Sequence, residues 1–176
     1  KIEGRLKTPE YVANVTRRYR EAIDLARQDR VVRFSRHEVE EMELSFSRGF
    51  SPGWLQGCDH KMLVPGLSST KRGVLLGEVK RIRQDRVTIR LQSEIRAGDG
   101  IVFEGDRAAG QEKGGRIYHI WKDRHACKEA ARGYSVEVAF GRQAVDVKRL
   151  YPGQKLWKTD DPQLTRRLQK TFLGRP

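Results

Sequence analysis

Hydrophobic residues change their spacing near residue 72, and this change constrains the fold more than any other feature of the chain. Before it, apolar side chains recur every three to four residues, as on one side of an α-helix. After it, apolar and polar residues alternate in short runs that glycine-containing turns separate, as in half-buried β-strands. The sequence therefore predicts an α+β chain, with a helical segment followed by a small antiparallel β-barrel and a C-terminal helix.

Two helices are predicted in the first part of the chain. Residues 8–27 begin with Thr8 as N-cap and Pro9 in the first turn, and residues 35–46 begin with a capping box of Ser35 and Glu38. The apolar stripe of the first helix consists of Tyr11, Val15, Tyr19, Ala22 and Ala26, and that of the second consists of Val39, Met42 and Phe46. The arginines 17, 18 and 20 fall largely off this stripe, so we expect them on a solvated surface. Four glutamates make the second helix acidic, either as a solvated face or as a lid that competes with anions.

Strands follow from residue 73 onward. They are predicted at residues 73–82, 86–91, 101–103, 115–121, 134–140, 144–147 and 154–159. A last helix begins after Asp160 or Asp161, with Pro162 in its first turn and Leu164, Leu168 and Phe172 on one side. The glycine-rich stretch 105–115 is the segment we expect to be most mobile. The predicted domain division is 1–66 for the helical segment and glycine-rich loop, and 67–176 for the barrel with its helix.

The charge of the chain favours a polyanionic partner. Its formal net charge is +13 at pH 7, and binding of basic side chains to nucleic acid releases condensed counterions. An acidic neighbouring domain or an arginine-rich proteome would explain the same excess. No apolar run approaches the ~20 residues that span a bilayer. Two cysteines are too few for a disulfide framework, which favours the cytoplasm.

The chain begins with K-I-E-G-R-L-K-T-P-E-Y-V from Lys1 to Val12, and Arg48 to Gly57 read R-G-F-S-P-G-W-L-Q-G. These two stretches resemble the collagenase-like peptidases of the U32 peptidase family, although Pro52 and Trp54 depart mildly from the family pattern. Residues 2–5 also spell a protease site of the kind that cloning introduces, but the match continues through Tyr11 and beyond. Both stretches resemble the region that follows the catalytic barrel in that family.

The resemblance implies that the catalytic barrel precedes this chain and that the chain alone is not catalytic. Parent proteins of the family are peptidases, or hydroxylases of transfer RNA, ribosomal RNA or ubiquinone. In several members of the family, cysteines of that missing barrel hold an iron–sulfur cluster, and neither Cys58 nor Cys127 matches them. The resemblance therefore implies no cofactor and no catalytic residue in this chain.

The predicted barrel resembles the second domain of translation factors such as elongation factor Tu. The resemblance rests on the start Gly73-Val74-Leu75-Leu76-Gly77-Glu78-Val79, on Gly98-Asp99-Gly100-Ile101, and on the closing stretch 152–159, P-G-Q-K-L-W-K-T. Barrels of this kind serve many functions, so the resemblance predicts the fold alone.

Motifs for catalysis or metal binding are weak. Each cysteine has a histidine two positions away, as Cys58 with His60 and His125 with Cys127, but zinc sites ordinarily use wider spacing. No phosphate-binding loop and no serine-nucleophile motif is present in the sequence. We therefore predict no metal and no catalytic residue.

RNA binding is the strongest function that the residues themselves indicate. Basic and aromatic side chains interleave in the later strands, a pattern that suits phosphate contact combined with base stacking. The candidate RNA-binding residues are Arg17, Arg18, Arg48, Arg116, Tyr118, Trp121, Lys122, Arg124, Lys155, Trp157 and Lys158. The alternative for the aromatic ones is that they face the barrel core while the basic ones alternate outward.

Three functions remain open at this point. The chain is an accessory module that positions structured RNA for a modification enzyme, a lid that gates an unfolded polypeptide for a collagenase-like peptidase, or a structural support for the missing barrel. Polypeptide binding by strand addition to a sheet edge would depend weakly on salt, whereas RNA binding would depend on it strongly.

Overall fold

The computed structural model of the chain describes residues 2, 4–46, 57, 73–105, 113–141 and 144–174. Contacts divide the chain into two compact units, one of Lys1–Arg72 with Gln163–Pro176 and one of Gly73–Pro162. The last helix thus groups with the helical unit, whereas the sequence placed it with the barrel. The predicted boundary after residue 66 lies outside the described residues, and the domain division stays a prediction. No helix in these ranges is both long and apolar enough to cross a membrane.

Helices α1 (Pro9–Ala26) and α2 (Arg36–Phe46) match the predicted spans to within a residue or two. The Thr8 hydroxyl accepts a hydrogen bond from the Tyr11 amide at 3.3 Å. At α2 the capping box is formed, because the Ser35 amide donates to the Glu38 carboxylate at 2.8 Å and the Glu38 amide donates to the Ser35 hydroxyl at 3.3 Å. Most of the predicted apolar stripe of α1 (Tyr11, Val15, Tyr19 and Ala22) and Val39 and Met42 of α2 line one groove of about 390 Å³ within this unit.

Arg18 lies inside the helical unit, so the prediction that it is solvated was wrong. It is 7% exposed, and its guanidinium pairs with Glu21 at 2.9 Å, with Glu41 at 3.2 Å and with Glu38. Glu41 is 5% exposed and also pairs with Arg167 of the last helix. The acidic face of α2 therefore points partly inward and binds arginine, rather than lying wholly in solvent.

Helix α3 (Pro162–Gln169) follows the barrel. Leu164 and Leu168 are buried, as their spacing predicts, but Phe172 lies beyond the end of the helix and is 39% exposed. The apolar side of this helix is therefore shorter than predicted.

The second unit consists of short strands. Their bounds are β1 Val74–Arg83, β2 Arg86–Leu91, β3 Ile95–Arg96, β4 Gly100–Phe103, β5 Gly114–Lys122, β6 His125–Cys127, β7 Glu129–Ala130, β8 Ser135–Phe140 and β9 Lys155–Asp160. Strands β3, β6 and β7 were not predicted. The predicted strand at 144–147 is wrong, because Val147–Arg149 form a 3-10 helix that the Asp146 side chain caps.

Six of the strands close into an antiparallel barrel, which confirms the predicted fold class. The strands pair in the order β4-β9-β1-β2-β8-β5, and β5 pairs with β4 again to complete the ring. Strand β6 extends β5 as a hairpin, and β3 pairs with β7 beside the barrel. Because the ring is closed, each of the six barrel strands pairs with a neighbour on both sides, and none of the six is an edge strand.

The barrel interior is filled by apolar side chains, almost all of them aliphatic, that alternate along the strands. Those exposed by 2% or less are Leu76, Val79, Val87, Ile89, Leu91, Ile95, Ile101, Phe103, Ile117, Ile120, Val136, Val138 and Leu156. Each such side chain stabilises the fold by about 1.5–3 kcal/mol relative to exposure in water. This core fixes the register of the strands, and the register in turn decides which side chains point outward.

Candidate nucleic-acid interface

Basic residues occupy the outward positions of strands β1 and β2. Val79, Val87 and Ile89 are buried, so Lys80, Arg86 and Arg90, which are their neighbours in the strands, face outward. A register shift between Val79 and Arg81 turns Arg81 and Arg83 to the outer side as well. Cross-strand pairing sets Arg81 opposite Thr88 and Arg83 opposite Arg86. We call the resulting surface the basic face, and it consists of Lys80, Arg81, Arg83, Arg86 and Arg90.

Most of the charge on the basic face is available to a ligand. Arg81, Arg83 and Arg90 are exposed and form no ion pair with any residue that the structure describes. Lys80 pairs with Glu78, and the Arg86 guanidinium lies 3.3 Å from the Glu137 carboxylate. Exposed ion pairs of this kind contribute only about 0–1 kcal/mol, so phosphate can compete with them.

Aromatic side chains of β5 lie against one end of the basic face. Strand β8 lies between β2 of the basic face and β5, because its residue Glu137 pairs with Thr88 on one side and with Trp121 on the other. The Arg86 guanidinium carbon lies 3.9 Å from the centre of the Trp121 ring, and the His119 ring centre lies 5.5 Å from the same indole. Cationic and aromatic groups in one row are the elements of a surface that binds unpaired nucleic acid.

Arg116 and Tyr118, two candidates from the sequence, also lie on the outer surface of β5. Tyr118 is 62% exposed. Arg116 donates to the Gly98 carbonyl at 2.8 Å and to the Asp160 carboxylate at 2.7 Å, so its charge is already partly used within the barrel. A phosphate would have to displace Asp160 from this guanidinium.

Lys122 and Arg124 lie near the end of β5, where the hairpin to β6 turns. The Lys122 ammonium lies 3.3 Å from the centre of the Tyr134 ring, in a separate cavity of about 250 Å³. Arg124 is exposed, with a positive φ of 68° in the turn. The structure therefore separates Lys122 from Trp121, although the two are adjacent in sequence.

Of the three candidates on β9, only Lys155 is exposed. Trp157 is 8% and Lys158 is 3% exposed, so neither presents a surface to a ligand. The Lys158 ammonium lies 2.8 Å from both the Asp99 and the Asp161 carboxylates. Burial alone would lower the pKa of Lys158, but these two carboxylates outweigh it, and the pKa is raised. This lysine is a structural cation rather than part of a binding surface.

The candidates in the helical unit have mixed positions. The Arg17 side chain is 41% exposed and lies 3.6 Å from Glu41. The Arg18 guanidinium is enclosed by carboxylates, as described above, which takes it out of reach of phosphate. Arg48 lies outside the described residues. This unit therefore offers a ligand only one of the three predicted arginines, Arg17, within the described part of the chain.

Sequence reasoning missed the basic face itself. The signal was present in residues 80–90, K-R-I-R-Q-D-R-V-T-I-R, where basic residues take the polar positions of an alternating pattern around a turn. Such a pattern is also typical of any solvated hairpin. It indicates a binding surface only when the pairing of β2 with β8 and of β8 with β5 is known, since this pairing brings Trp121 beside Arg86.

Comparison with known proteins bears on the segment before the barrel. Residues 1–64 match the model of peptidase family U32. The resemblance to this family that the opening residues predict is thereby confirmed over residues 1–64. No curated protein sequence matches the chain.

Solved structures are similar to parts of the chain at low identity. The C-terminal domain of a protein described as a U32 peptidase from Geobacillus thermoleovorans is 19% identical, with a TM-score of 0.40, and the match covers 49% of this chain and 93% of that one. The bacterial selenocysteine-specific elongation factor EF-Sec is 17% identical, with a TM-score of 0.39, covering 56% of this chain and 17% of that one. GDP-bound aIF5B from Aeropyrum pernix is 22% identical, with a TM-score of 0.37, covering 57% and 16%. Because these TM-scores are low, the barrel assignment rests on the strand pairing described above.

Proposed function

We propose that this chain is a non-catalytic module of a U32-family protein that positions structured RNA for a modifying enzyme, a hydroxylase of RNA. The match of residues 1–64 to the family supports the first part of this proposal. The second part rests on a single observation, which is the basic face beside Trp121.

The physical argument for RNA is electrostatic. Arg81, Arg83 and Arg90 carry charge that no described carboxylate neutralises, in a chain of net charge +13. Each phosphate that such a side chain neutralises releases counterions, and binding to a polyanion therefore gains entropy at low salt. Trp121 and His119 add flat surfaces on which an unpaired base can stack.

Polypeptide binding by strand addition has less support. An extended peptide pairs with an exposed sheet edge, but the six barrel strands form a closed ring. Within the described residues, the strands outside that ring are β6, with three residues, and the short pair β3 and β7. These strands are too short to form more than a few hydrogen bonds with an extended peptide.

Charge reversal on the basic face tests the proposal. We expect the double substitution R81E and R83E to weaken binding to structured RNA at least tenfold and to reduce the salt slope of log K by about 1 for each cation removed. Fluorescence anisotropy of a labelled RNA hairpin across a salt series measures both quantities.

A matched control removes the same charge from another place. Arg30 and Arg33 are exposed and belong to the helical unit. The double substitution R30E and R33E changes the net charge by the same amount as R81E and R83E. It should leave RNA affinity within about threefold of the native chain, because these two arginines lie outside the proposed interface and contribute only general attraction. Equal losses in both variants would contradict a defined interface.

A further inference from the structure

A cavity beside the barrel is separate from the basic face and has a different character. Its volume is about 250 Å³, and the buried side chains of Ile95 and Ala130 line it together with Lys122 and Tyr134. This is smaller than the roughly 300–1,000 Å³ of pockets that hold drug-sized ligands. The cavity therefore suits one small planar group rather than a whole nucleotide.

The walls of the cavity are held by strand pairing and hydrogen bonds. In the pair β3–β7, Ile95 lies opposite Ala130 and Arg96 lies opposite Glu129. The backbone carbonyl of Tyr134 accepts a hydrogen bond from the Leu91 amide at 2.9 Å, which fixes the residue to the end of β2. The backbone around the cavity is thus held in place before a ligand binds, and only side chains have to move.

The charges that line the cavity cancel, unlike those of the chain as a whole. Arg96 lies between two carboxylates, with its guanidinium 3.3 Å from Glu94 and 3.0 Å from Glu129. Lys122 forms no ion pair with a described residue, and its ammonium lies on the Tyr134 ring. Two acids and two cations give a lining of no net charge that offers both donors and acceptors. Such a lining does not favour phosphate, but it does favour a neutral polar group with both kinds of hydrogen-bonding atom.

We infer that this cavity binds an unpaired guanine base. The inference rests on the proposed function and extends it. The basic face would bind the phosphates of the RNA, and the cavity would recognise one of its bases. The Tyr134 side chain is 46% exposed and offers a ring for stacking.

Guanine fits the lining better than the other three bases do. Its Watson–Crick edge carries two adjacent donors, the N1–H and the exocyclic amino group, which match the two oxygens of one carboxylate. The Glu129 side chain is 68% exposed, so it can turn from Arg96 toward a ligand. The guanine O6 beside these donors accepts from a cation, and Lys122 can donate to it once the base has displaced its ammonium from the Tyr134 ring. Adenine and cytosine lack the paired donors, and uracil has a single one.

Free mononucleotides test the inference without the electrostatic binding of a long polyanion to the basic face. The 5′-monophosphates of guanosine, adenosine, cytidine and uridine carry the same sugar and phosphate, so differences among them report on the base. We expect NMR titration of the full chain to give at least about tenfold tighter binding of the guanosine nucleotide, with shifts at Arg96, Glu129 and Tyr134.

Substitutions assign any preference to the cavity. Tyr134→Leu should weaken the guanosine nucleotide about tenfold by removing the stacking surface, and Glu129→Gln should reduce its advantage over the other three to about twofold or less. Tyr151 is 53% exposed elsewhere on the barrel, so Tyr151→Leu serves as the matched control and should change nothing. Equal binding of all four nucleotides, or a guanosine preference unchanged in Tyr134→Leu, would overturn the inference.

Single-stranded RNA separates this inference from the proposed function. Uridine-rich strands with one central guanosine or one central uridine are compared on the native chain. Salt-dependent binding of both strands with equal affinity would remove the guanine site and leave the proposed function standing. Selective binding of the guanosine nucleotide with no affinity for any RNA strand would remove the proposed function and leave the guanine site.

Discussion

Two basic residues show how far a charged side chain can lie from where its sequence predicts it. Arg18 and Lys158 each stand in a polar position of an otherwise regular pattern, yet both are buried. The partners explain this, because Glu38 and Glu41 lie 20 and 23 residues beyond Arg18 in the chain. Local sequence does not reveal such pairs, and burial of lysine or arginine is rare unless a carboxylate accompanies it.

Lys158 provides the first prediction at this scale. Lys158→Met removes the ammonium that lies 2.8 Å from both Asp99 and Asp161, which are 1% and 6% exposed. We expect the free energy of unfolding of the barrel to fall by about 3–5 kcal/mol, because a buried charge then lacks its partner. Urea unfolding followed by tryptophan fluorescence measures the loss. Lys155→Met, on the same strand but exposed, should cost less than about 1 kcal/mol.

The same group makes barrel stability depend on alkaline pH. The attraction of Asp99 and Asp161 overcomes burial and raises the pKa of Lys158 above its ordinary value of 10.5. The native state therefore holds this proton more tightly than the unfolded state, so the stabilisation is complete below pH 10.5 and is lost as the pH rises through the raised pKa. Unfolding free energies at about pH 9 and pH 12 should fall more for the native chain than for Lys158→Met. Parallel pH profiles of the two proteins would refute this role.

The pKa of Asp99 is also raised, so its effect on stability has the same sign as that of Lys158 but falls in the acid range. Burial raises the pKa of this carboxyl, and the Lys158 ammonium offsets part of that effect. A proton is therefore held more tightly in the native state, and the resulting stabilisation is present at low pH and lost as the pH rises through the raised pKa. The ion pair with Lys158 is what makes the ionised form acceptable inside the barrel at neutral pH.

Two glycines of the first strand show why the predicted barrel motif has its spacing. A Cβ on Gly73 would lie 2.0 Å from the Lys158 carbonyl oxygen, and one on Gly77 would lie 2.1 Å from the Arg90 carbonyl oxygen. Backbone from the two neighbouring strands, β9 and β2, thus approaches β1 at these positions. The motif G-V-L-L-G therefore marks the places where a closed barrel brings main chains into contact.

Substitution at Gly77 gives a prediction at the scale of this strand. Gly77→Ala has to move backbone rather than a flexible side chain, and we expect a loss of about 3 kcal/mol in unfolding free energy. Gly98 is the matched control, since its φ is 97° but a Cβ there would meet nothing within 4 Å. Gly98→Ala should cost only the left-handed strain, about 1–2 kcal/mol. Equal losses for both alanines would argue against close approach as the cause.

Local pattern predicted the long elements and missed the short ones. Helix α1 and strand β2 were predicted almost residue for residue, since capping and strict alternation mark them. Strands β3 and β7 have two residues each, which is too short for any period to be visible. Residues 144–147 alternate like a strand, but Asp146 caps a 3-10 turn instead.

At the scale of the whole chain, the candidate interface depends on the order of the strands in the barrel. The basic face comes from β1 and β2, whereas its aromatic edge comes from β5, and β8 lies between them. The sequence predicted Trp121 and the exposed Tyr118 as candidates, but it could not show that Arg86 lies on the indole ring. Long-range strand order determines this surface, and alternation within one strand carries no information about it.

The two compact units also differ in how their charge is used. In the helical unit, Arg17 and Arg18 face Glu41, so these two cations are paired within the unit. Arg30 and Arg33 of the same unit are exposed. On the barrel, Arg81, Arg83 and Arg90 remain without ion pairs to the described residues, and strand pairing brings Arg81 and Arg83 together with Arg86 on one face. The barrel therefore differs in having its exposed cations grouped on one face, rather than in carrying most of the excess charge.

The central claim is that this chain holds structured RNA, and its salt dependence tests that claim most directly. Binding of the full chain to a transfer or ribosomal RNA fragment is measured at several salt concentrations, with gelatin as the unfolded polypeptide in parallel. We predict affinity for RNA that falls steeply with salt, with a slope in log K of about −3 or steeper, and no binding to gelatin. Salt-insensitive binding to gelatin, or no binding to RNA at low salt, would contradict the account.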